Sequence, residues 1–406
     1  MNTGNRTIRH ANPHLRVAPR VDDLSESSIF RINSKAQALT EQGRNILRLD
    51  AGEPDFDTPK PIIDAAKQAL DDGFTRYTPI GGLASLKEAV QLKLKRDNNL
   101  HYNSDEILST CGAKQALFNA CMTLLNPKDE IVIPTPNWGT YPSIAKISRA
   151  RVVEAPTRYE DGFILQPETL EQCLSERTRI VILNTPNNPT GQVYSREALS
   201  ALGNVLLKYP NVFVLSDDIY EHLIFTDEPY ANILSVCPSL KNRTLLINGV
   251  SKAYAMTGWR VGFAAGPATL IAEMEKLQGQ STSHTAAISQ KAAETALRGS
   301  RDDVQNMVNT FRARAELVAD GLSKIENIDC HPAQGSFYCL PNFERVIDSL
   351  DDVEDDQQLG DWLLEELGIA MVPGSAFNAP GHMRLSFAAD SDTLRDGLDR
   401  LQRAFG

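Results

Sequence analysis

The sequence predicts an α/β fold, in which a mostly parallel sheet is flanked by helices and accompanied by a smaller α+β domain. From Pro61 onward, helical stretches alternate with short apolar strands, and this alternation is typical of a parallel sheet covered on both faces. The strands, such as EIVIP, RIVILN and TLLIN, are brief and uniformly apolar. The C-terminal part changes to strand, helix, strand, helix through GSFYCLPNF, GDWLLEELG and HMRLSFA. We therefore expect two domains in a chain of 406 residues.

The expected division of the chain follows its changes in pattern. Residues 1–20 are rich in arginine and proline without helical or strand periodicity, so we predict a flexible N-terminal arm. Residues 21–56 are expected in the small domain, with a helix that begins with Ser34 as its cap and ends at Gly43. Residues 57–305 are predicted to form the large domain. Residues 306–406 complete the small domain, and the amphipathic stretch RDDVQNMVNTFRARAELVADGLSKI is predicted to form a long helix leading into them.

Composition narrows the class of protein. Hydrophobic residues make up 42% and charged residues 23% of the chain, which is ordinary for a globular protein. The net charge of -11 argues against a nucleic-acid binder and against an anionic membrane surface. No apolar run reaches the roughly 18 residues that a membrane span requires, and the start lacks the apolar centre of a secretory signal. We expect a cytoplasmic protein.

The sequence indicates no metal site. Six cysteines are scattered through the chain without a CxxC pair or clustered histidines, so we interpret them as reduced thiols. The acidic stretch DSLDDVEDDQQ lacks the glycine and the alternating spacing of an EF-hand loop, and we interpret it as a solvated helix entry.

Polar residues that follow the predicted strands are candidates for chemistry, because ligands of such sheets lie at the carboxyl ends of the strands. Lys252 follows the strand TLLIN in a loop that contains glycine and serine. A single lysine of this kind is more often a surface residue, since strongly perturbed lysines are a minority. Three other strand ends extend the pattern: Gly112 and Ala113 follow the first, Asn188 follows the second, and Asp217 and Tyr220 follow the third.

Together these residue types describe a site for pyridoxal 5'-phosphate. The turn at Gly112 opens a helix, whose free N–H groups and dipole suit a phosphate. Lys252 is the amine that would hold the cofactor aldehyde as a Schiff base. Asp217 would keep the ring nitrogen protonated, and Tyr220 would polarise the ring. A nicotinamide site would instead need a GxGxxG turn, which the sequence lacks.

Several stretches also resemble a known family. The runs AGEPDFDTP, TRYTPIGGLASLKEAV, CGAKQALFNA, TPNWGTYP, NTPNNPTG, SDDIYEHLIF, SKAYAMTGWRVG and HMRLSFA are similar, in this order, to motifs of class I aminotransferases. The likeness is strongest to the prokaryotic aspartate/aromatic branch and covers about residues 52–387. It implies the fold of fold-type I pyridoxal enzymes, with a seven-stranded sheet in the large domain.

The resemblance implies a role for each matched residue. Lys252 would also act as the general base that moves a proton at the substrate's α-carbon. The cofactor would be bound by the ring partners Asp217, Tyr220 and Asn188, the stacking residue Trp138, and the phosphate ligands Arg260, Ser251, Gly112 and Ala113. The substrate α-carboxylate would be bound by Arg384 with help from Asn188 and the backbone of Gly52. Tyr77 would reach the phosphate of a neighbouring subunit, which implies a homodimer with shared active sites.

Two departures from the family pattern concern the substrate. In the members that use acidic substrates, the lysine matching Lys114 meets a distal carboxylate, helped by a small hydroxyl residue. Here Ile29 replaces that hydroxyl, which weakens the acidic-substrate interpretation. His284 and Thr285 stand where an asparagine-proline pair is expected. His284 is either a satisfied polar residue, which we favour, or an added acid/base group.

Three hypotheses follow. The leading one is an aminotransferase that exchanges the amino group between an L-amino acid and a 2-oxo acid. The second keeps pyridoxal phosphate but not the reaction, and makes the protein an oxidase, lyase or decarboxylase that acts on an amino acid. The third is a non-catalytic regulator, which would need a DNA-binding module that the N-terminal arm is too short to supply.

Overall fold

The computed structural model describes residues 16–22, 24 and 28–406. Of the predicted N-terminal arm, residues 1–20, the first 15 residues therefore lie outside the described residues. Its last two residues belong to a short helix that the sequence pattern did not indicate, α1 (Pro19–Asp22). Proline suits the first position of a helix, because the N–H that it lacks would have no partner there.

The next helix begins earlier than predicted. α2 spans Ser28–Glu41, so Ser34 lies inside the helix and is not its cap. Ile32 and Ala36 are fully buried one helical turn apart. The apolar face thus extends to the N-terminal side of Ser34, and burial of this face decides where the helix begins.

The strands are short, as the sequence predicted. They are β1 (Leu47–Arg48), β2 (Ile107–Thr110), β3 (Glu130–Thr135), β4 (Arg151–Pro156), β5 (Thr178–Asn184), β6 (Phe213–Asp217), β7 (Thr244–Gly249), β8 (Gly262–Ala265), β9 (Tyr338–Cys339), β10 (Ile369–Ala370), β11 (Val372–Pro373) and β12 (Met383–Ser386). Seven of them form one sheet in the order β2-β8-β7-β6-β5-β3-β4. β8 runs antiparallel to β2 and β7, and the pairs from β7 to β4 are parallel. The predicted mostly parallel sheet is confirmed.

Helices cover both faces of this sheet. After α2 come α3 (Lys60–Asp71), α4 (Ala84–Asn98), α5 (Ala113–Leu124), α6 (Thr140–Ile147), α7 (Pro167–Cys173), α8 (Arg196–Leu207), α9 (Ile233–Val236), α10 (Ala268–Gly279), α11 (Ala287–Arg298) and α12 (Asp302–Leu322). Along β5, Val181 and Leu183 pack into one core, and Ile180 and Ile182 pack into the other. Because alternate side chains enter different cores, the four consecutive positions 180–183 of the strand are all apolar.

The remaining strands form two small sheets. β1 pairs in parallel with β10, which joins the N-terminal segment to the C-terminal part of the chain. β12 lies between β11 and β9 in an antiparallel sheet. The helices here are α13 (Glu344–Ser349), α14 (Asp356–Trp362) and α15 (Ser391–Phe405), and α15 packs on the long helix α12. Among the described residues, none of the helices combines the length and the apolar character of a membrane span.

Candidate active site

The register of the central sheet gathers the predicted residues at one edge. Asn184 at the end of β5 pairs with Asp217 at the end of β6, and Asp217 pairs with Ile247 of β7. Lys252 follows β7 by a few residues. Since the three strands are parallel, their carboxyl ends open on the same side, where a ligand binds in folds of this kind.

Asp217 is a buried carboxylate with neutral partners. It is 2% exposed, and its Oδ2 accepts a hydrogen bond from the Tyr141 hydroxyl at 2.8 Å. Burial raises the pKa of Asp217 to about 6, although the bond from Tyr141 and the charge of Lys252 oppose the rise. A cation beside this carboxylate would stabilise its charged form. The sequence did not single out Tyr141, since its role depends on a contact between α6 and β6.

Lys252 lies in an environment that favours its neutral amine. Its Nζ donates a hydrogen bond to the carbonyl oxygen of Gly52 at 2.5 Å and lies 5.9 Å from the ring centroid of Tyr220. Burial, together with the nearby charge of Arg384, lowers the pKa of Lys252 to about 8. A lysine with such a pKa supplies a nucleophile near neutral pH.

A cradle for an anion lies beside this lysine. Gly112 precedes α5 with φ +81, and the Arg260 side chain lies against it, close enough that a Cβ on Gly112 would be 2.9 Å from Arg260 Cζ. Ala113 begins α5, so its N–H is among the first N–H groups of the helix, which have no partner within the helix. The cradle therefore combines a guanidinium with a helix N-terminus, which together suit a phosphate.

The conformation of Arg260 also corrects a predicted boundary. The short apolar stretch WRVGFAAG predicts a strand that starts at Trp259, but β8 starts at Gly262. Arg260 has φ +55, in the left-handed region that an arginine rarely adopts, and its Nη1 donates to the carbonyl oxygen of Thr257 at 2.8 Å. This backbone turn, which cannot continue a strand, carries the guanidinium to the cradle. Ser251 is buried in the preceding loop.

Arg384 on β12 is a buried cation with hydrogen-bonding capacity to spare. It is 1% exposed, with Nη1 donating to Asn188 Oδ1 at 3.0 Å and Nη2 donating to Asp50 O at 3.1 Å. Its Nε has no hydrogen-bond partner among the described residues. The rings of Tyr338 and Phe377 lie 4.2 and 4.8 Å from its Cζ. A planar cation held in this way is suited to a carboxylate.

Tyr220 faces Tyr338, a residue that the sequence did not single out. The two hydroxyl groups are 3.3 Å apart and both rings are buried. Burial raises the pKa of Tyr220 well above its usual value, and the Tyr338 hydroxyl adds to the rise. Tyr338 therefore links Tyr220 to Arg384, because its ring also lies on the guanidinium.

One chain segment, residues 50–58, crosses the loop that carries Lys252. The hydrogen bonds between them run from Lys252 Nζ to Gly52 O (2.5 Å), from Thr257 Oγ1 to Glu53 Oε2 (2.6 Å), from Thr58 Oγ1 to Ala255 O (2.7 Å) and from Trp259 Nε1 to Thr58 Oγ1 (3.0 Å). The segment is itself fixed at Asp50, whose carboxylate accepts two hydrogen bonds from Arg48 at 2.8 and 3.0 Å. We call it the 50–58 segment.

Lys114 and Trp138 form a pair at the same edge of the sheet. The Nζ of Lys114 lies 4.7 Å from the centroid of the Trp138 ring, which is within the range of a cation-π interaction. Burial lowers the pKa of Lys114, and the charge of Arg260 lowers it further. The Trp138 ring also packs edge-on against Tyr141, with centroids 5.6 Å apart.

Three predicted residues lie away from these contacts. Tyr77 is 94% exposed and packs edge-on against His284 at 5.6 Å. The Nδ1 of His284 lies 2.8 Å from the Thr285 carbonyl oxygen, and its Nε2 lies 3.4 Å from the Thr78 backbone nitrogen. Ile29 is half-buried in α2, which packs on β10 and β11. Within the described residues, no hydrogen bond connects Tyr77 or His284 with Lys252.

The residues present fit pyridoxal phosphate. The guanidinium of Arg260 lies so close to Gly112 that a Cβ there would clash with it, which places a cation directly at the helix N-terminus that would hold the phosphate. Among the residues that the structure describes, no cation is in hydrogen-bond contact with Asp217, and Lys252 offers an amine of lowered pKa. Each of these features would be satisfied by one end of the cofactor.

Comparison with known proteins places the chain among relatives of one family. The sequence profile of "Aminotransferase class I and II" matches residues 44–401. An aspartate/prephenate aminotransferase from Nitrosomonas europaea is 43% identical over 392 residues, which cover 95% of this chain and 99% of that protein. The crystal structure of the aspartate aminotransferase from Rhizobium meliloti superposes with a TM-score of 0.93 at 41% identity, covering 96% of this chain and 98% of that one. The structure of the Thermus thermophilus aspartate aminotransferase with maleate superposes with a TM-score of 0.91 at 37% identity, covering 96% of this chain and 100% of that one.

Proposed function

Because the chain belongs to the class I and II aminotransferases, we propose that its amino donor is aspartate or a similar dicarboxylic amino acid. The enzyme uses pyridoxal phosphate and exchanges the amino group between an L-amino acid and a 2-oxo acid. The observation that carries the proposal is a second cation beside the site: Lys114 lies on the ring of Trp138, and Arg384 is held separately by Asn188. Two cations suit a substrate with two carboxylates.

The proposed roles begin with the groups around the cofactor. Pyridoxal phosphate, when bound, supplies a covalent carrier for the amino group and an electron sink for the substrate's α-carbon. Lys252 would attach the cofactor and, once released, take and return the proton at that carbon. Asp217 would hold a proton on the ring nitrogen, and Tyr220 with Asn188 would bind the ring oxygen. Trp138 would stack on the ring. The phosphate would be bound by Gly112, Ala113, Ser251 and Arg260.

The substrate would be oriented by its carboxylates. Arg384 would bind the α-carboxylate through the donor capacity that its neighbours leave free, with the backbone N–H of Gly52 assisting. Lys114 would bind the distal carboxylate. Ile29 and His284 stay predictions as residues near the substrate. For His284, partners at both ring nitrogens support the interpretation as a satisfied polar residue over that of an added acid/base group.

A panel of amino donors and oxo acceptors tests the substrate proposal. We expect aspartate with 2-oxoglutarate to give the highest kcat/KM, with glutamate identified as the product. In Lys114→Met, the KM for aspartate should rise about tenfold to a hundredfold, the range for a hydrogen bond to a charged group. The KM for alanine or leucine, which lack the second carboxylate, should not change. A preference for neutral donors, or a loss shared by all donors, would contradict the proposed role of Lys114.

Transamination is favoured over the other reactions that the same cofactor supports. The relatives described above are all named aminotransferases, and they match the chain over nearly its full length. An oxidase, lyase or decarboxylase would release peroxide, ammonia or carbon dioxide from the amino acid without forming a new amino acid. Product identification in the same panel therefore tests this reaction choice directly.

A homodimer with shared active sites is also proposed. Tyr77 supports it, since a tyrosine that is 94% exposed in the connection between α3 and α4 has most of its ring available to a second copy. Inactive Lys252→Ala and Tyr77→Ala protomers should complement each other when mixed. In a hybrid dimer one site would contain both mutations and the other neither, so about a quarter of all sites should recover after random exchange. If hybrid dimers form but no activity returns, the active sites are not shared between the two subunits.

The division into domains and the location of the enzyme are further proposals. We propose a large domain over residues 57–305 and a small domain built from residues 21–56 and 306–406. The seven-stranded sheet inside the first range and the pairing of β1 with β10 support this division. A cytoplasmic location is supported by the six cysteines, all within the described residues, which form no disulfide there.

A further inference from the structure

A buried carboxylate outside the proposed catalytic groups directly follows Tyr220. Glu221 is 4% exposed. It forms an ion pair with Lys93 of α4, and it accepts hydrogen bonds from Asn98 Nδ2 at 2.7 Å and from Asn248 Nδ2 at 2.8 Å. Although burial opposes it, the charge of Lys93 helps to hold the pKa of Glu221 below its usual range. The carboxylate is therefore charged and fully engaged.

The partners of Glu221 come from different parts of the fold. Lys93 and Asn98 belong to α4, whereas Asn248 lies near the end of β7. The Oδ1 of Asn248 accepts a hydrogen bond from the backbone N–H of Gly249 at 2.7 Å, at the point where the chain turns toward Lys252. One carboxylate thus connects the loop after β6, which carries Tyr220, with the loop after β7, which carries Lys252.

Further charges complete this group without a ligand. Asp97 accepts a hydrogen bond from Arg96 at 2.7 Å and forms an ion pair with Arg301 at 3.1 Å. His222 Nε2 lies 3.5 Å from both Asp97 and Glu221. We call Glu221, Lys93, Asn98, Asn248 and Asp97 the Glu221 cluster. Since both acids of the cluster already have cationic partners, the cluster needs no external ion to be stable.

We propose that Glu221 is a positioning residue of the aminotransferase, which keeps Tyr220 and the Lys252 loop in register through its hydrogen bond with Asn248. The inference rests on the proposed roles of Tyr220 and Lys252. The side chain does not face the reacting atoms: it acts through the peptide bond to Tyr220 and through the cap on Gly249. Loss of the link would let the two loops shift against each other, and small shifts at a reacting centre reduce the rate strongly.

Two asparagines that donate to the same carboxylate provide a matched test. Asn248→Ala removes the donor on the active-site side, and Asn98→Ala removes the donor on the α4 side. Asn98 also accepts a hydrogen bond from Lys93 at 2.7 Å, so its loss disturbs the Glu221 cluster at least as much. We expect both variants to lower the unfolding temperature of the cofactor-free protein by similar amounts.

The two variants should differ in their chemistry. In Asn248→Ala, kcat should fall about tenfold to a hundredfold, and the pH midpoint of the visible absorbance of the lysine-bound cofactor should move. In Asn98→Ala, kcat and the midpoint should stay at wild-type values. If Asn248→Ala loses stability but keeps both kcat and the midpoint, or if both variants change alike, Glu221 is only a structural residue and the inference is wrong.

Two controls separate this result from other failures. The first control is Asn248→Ser, whose hydroxyl is a donor on a shorter side chain. If Asn248→Ala does not fold, Asn248→Ser takes its place, and the same outcomes support or contradict the inference. The second control is Lys252→Ala in an otherwise wild-type chain. If its visible absorbance matched that of the wild type, the proposed lysine would be wrong. That result would overturn the proposed site itself, whereas the asparagine variants test the positioning alone.

Discussion

Two groups of ionisable side chains lie near the peptide that joins Tyr220 to Glu221, and the pKa values of their carboxyl groups shift in opposite directions. In the first, which we call the Lys252 cluster (Lys252, Asp217 and Arg384), burial lowers the pKa of Lys252 to about 8 and raises that of Asp217 to about 6. In the Glu221 cluster, the pKa of Glu221 is lowered in spite of burial, because Lys93 pairs with it. Lys252 and Asp217 are thus shifted toward their neutral forms, whereas Glu221 is held in its charged form.

The difference follows from the nearest partners. Lys252 bonds to a backbone carbonyl and Asp217 to a tyrosine hydroxyl, so neither has an opposite charge in hydrogen-bond contact. Glu221 has an ammonium and two amides. Groups whose charge is poorly compensated are ready to exchange protons and bind a ligand, whereas compensated groups hold the chain in place. Burial alone therefore does not distinguish a reactive site from a structural one.

Removing the lysine of the Lys252 cluster should give the largest effect. In Lys252→Ala, kcat for amino transfer should fall by about 10⁴-fold or more, since the variant lacks the general base. Single-turnover kinetics with aspartate would measure this loss. The exposed-lysine variant Lys67→Ala serves as the control and should keep the wild-type rate. If Lys252→Ala kept the wild-type turnover, Lys252 would not take part in the reaction.

Removing the lysine of the Glu221 cluster should instead reduce stability. Lys93→Met leaves Glu221 buried without its counter-charge, which should lower the free energy of unfolding by about 3–5 kcal/mol. Urea unfolding of the cofactor-free protein measures this change. Lys95→Met, on the exposed side of the same helix, should stay within about 0.5 kcal/mol of the wild type. The double variant Lys93→Met/Glu221→Leu should recover part of the loss, and equal instability of the single and double variants would refute charge pairing as the cause.

The lowered pKa of Lys252 gives a prediction for pH dependence. Only the neutral amine attacks the cofactor aldehyde, and its fraction rises as pH increases through the pKa. The rate of cofactor attachment to the cofactor-free enzyme should therefore rise with a midpoint near pH 8, whereas an unperturbed lysine would give about 10.4. Stopped-flow absorbance at several pH values measures the midpoint. A midpoint near that of a free lysine would mean that burial does not perturb this amine.

The smallest effect is expected at Tyr338, which touches both Tyr220 and Arg384. Tyr338→Phe removes the hydroxyl contact with Tyr220 but keeps the ring on Arg384, so kcat/KM should fall only about fivefold, corresponding to about 1 kcal/mol. Tyr338→Leu, which also removes the ring, should lose more and should show it as a higher KM. Steady-state kinetics of the two variants would separate these contributions. Equal losses would assign the effect to the hydroxyl alone.

The strand ends of the site were predictable from the sequence for a simple reason. Lys252 and Asp217 follow uniformly apolar runs, and the direction of parallel strands brings such ends together without knowledge of any single contact. The helix boundaries were less predictable, because Ser34 has the chemistry of a cap while the buried face of α2 extends beyond it.

Contacts between distant parts of the chain could not be predicted in this way. Tyr141 is 76 positions from Asp217 and Tyr338 is 118 positions from Tyr220, and nothing local to either tyrosine indicates its partner. Lys93 lies in the charged run KLKR, which suggests exposure. It is nevertheless only 2% exposed, because its ammonium group forms an ion pair with Glu221 in the interior.

The 50–58 segment has a consequence for how the chain can change in length. The backbone of Asp50 contacts Arg384, and that of Gly52 contacts Lys252, so a few consecutive peptide units set the spacing between the two cations. An insertion there would alter the spacing and the reaction with it, whereas an insertion in an exposed connection of the central sheet would leave both cations where they are. We expect evolution to have varied chain length almost anywhere in this enzyme except between Asp50 and Thr58.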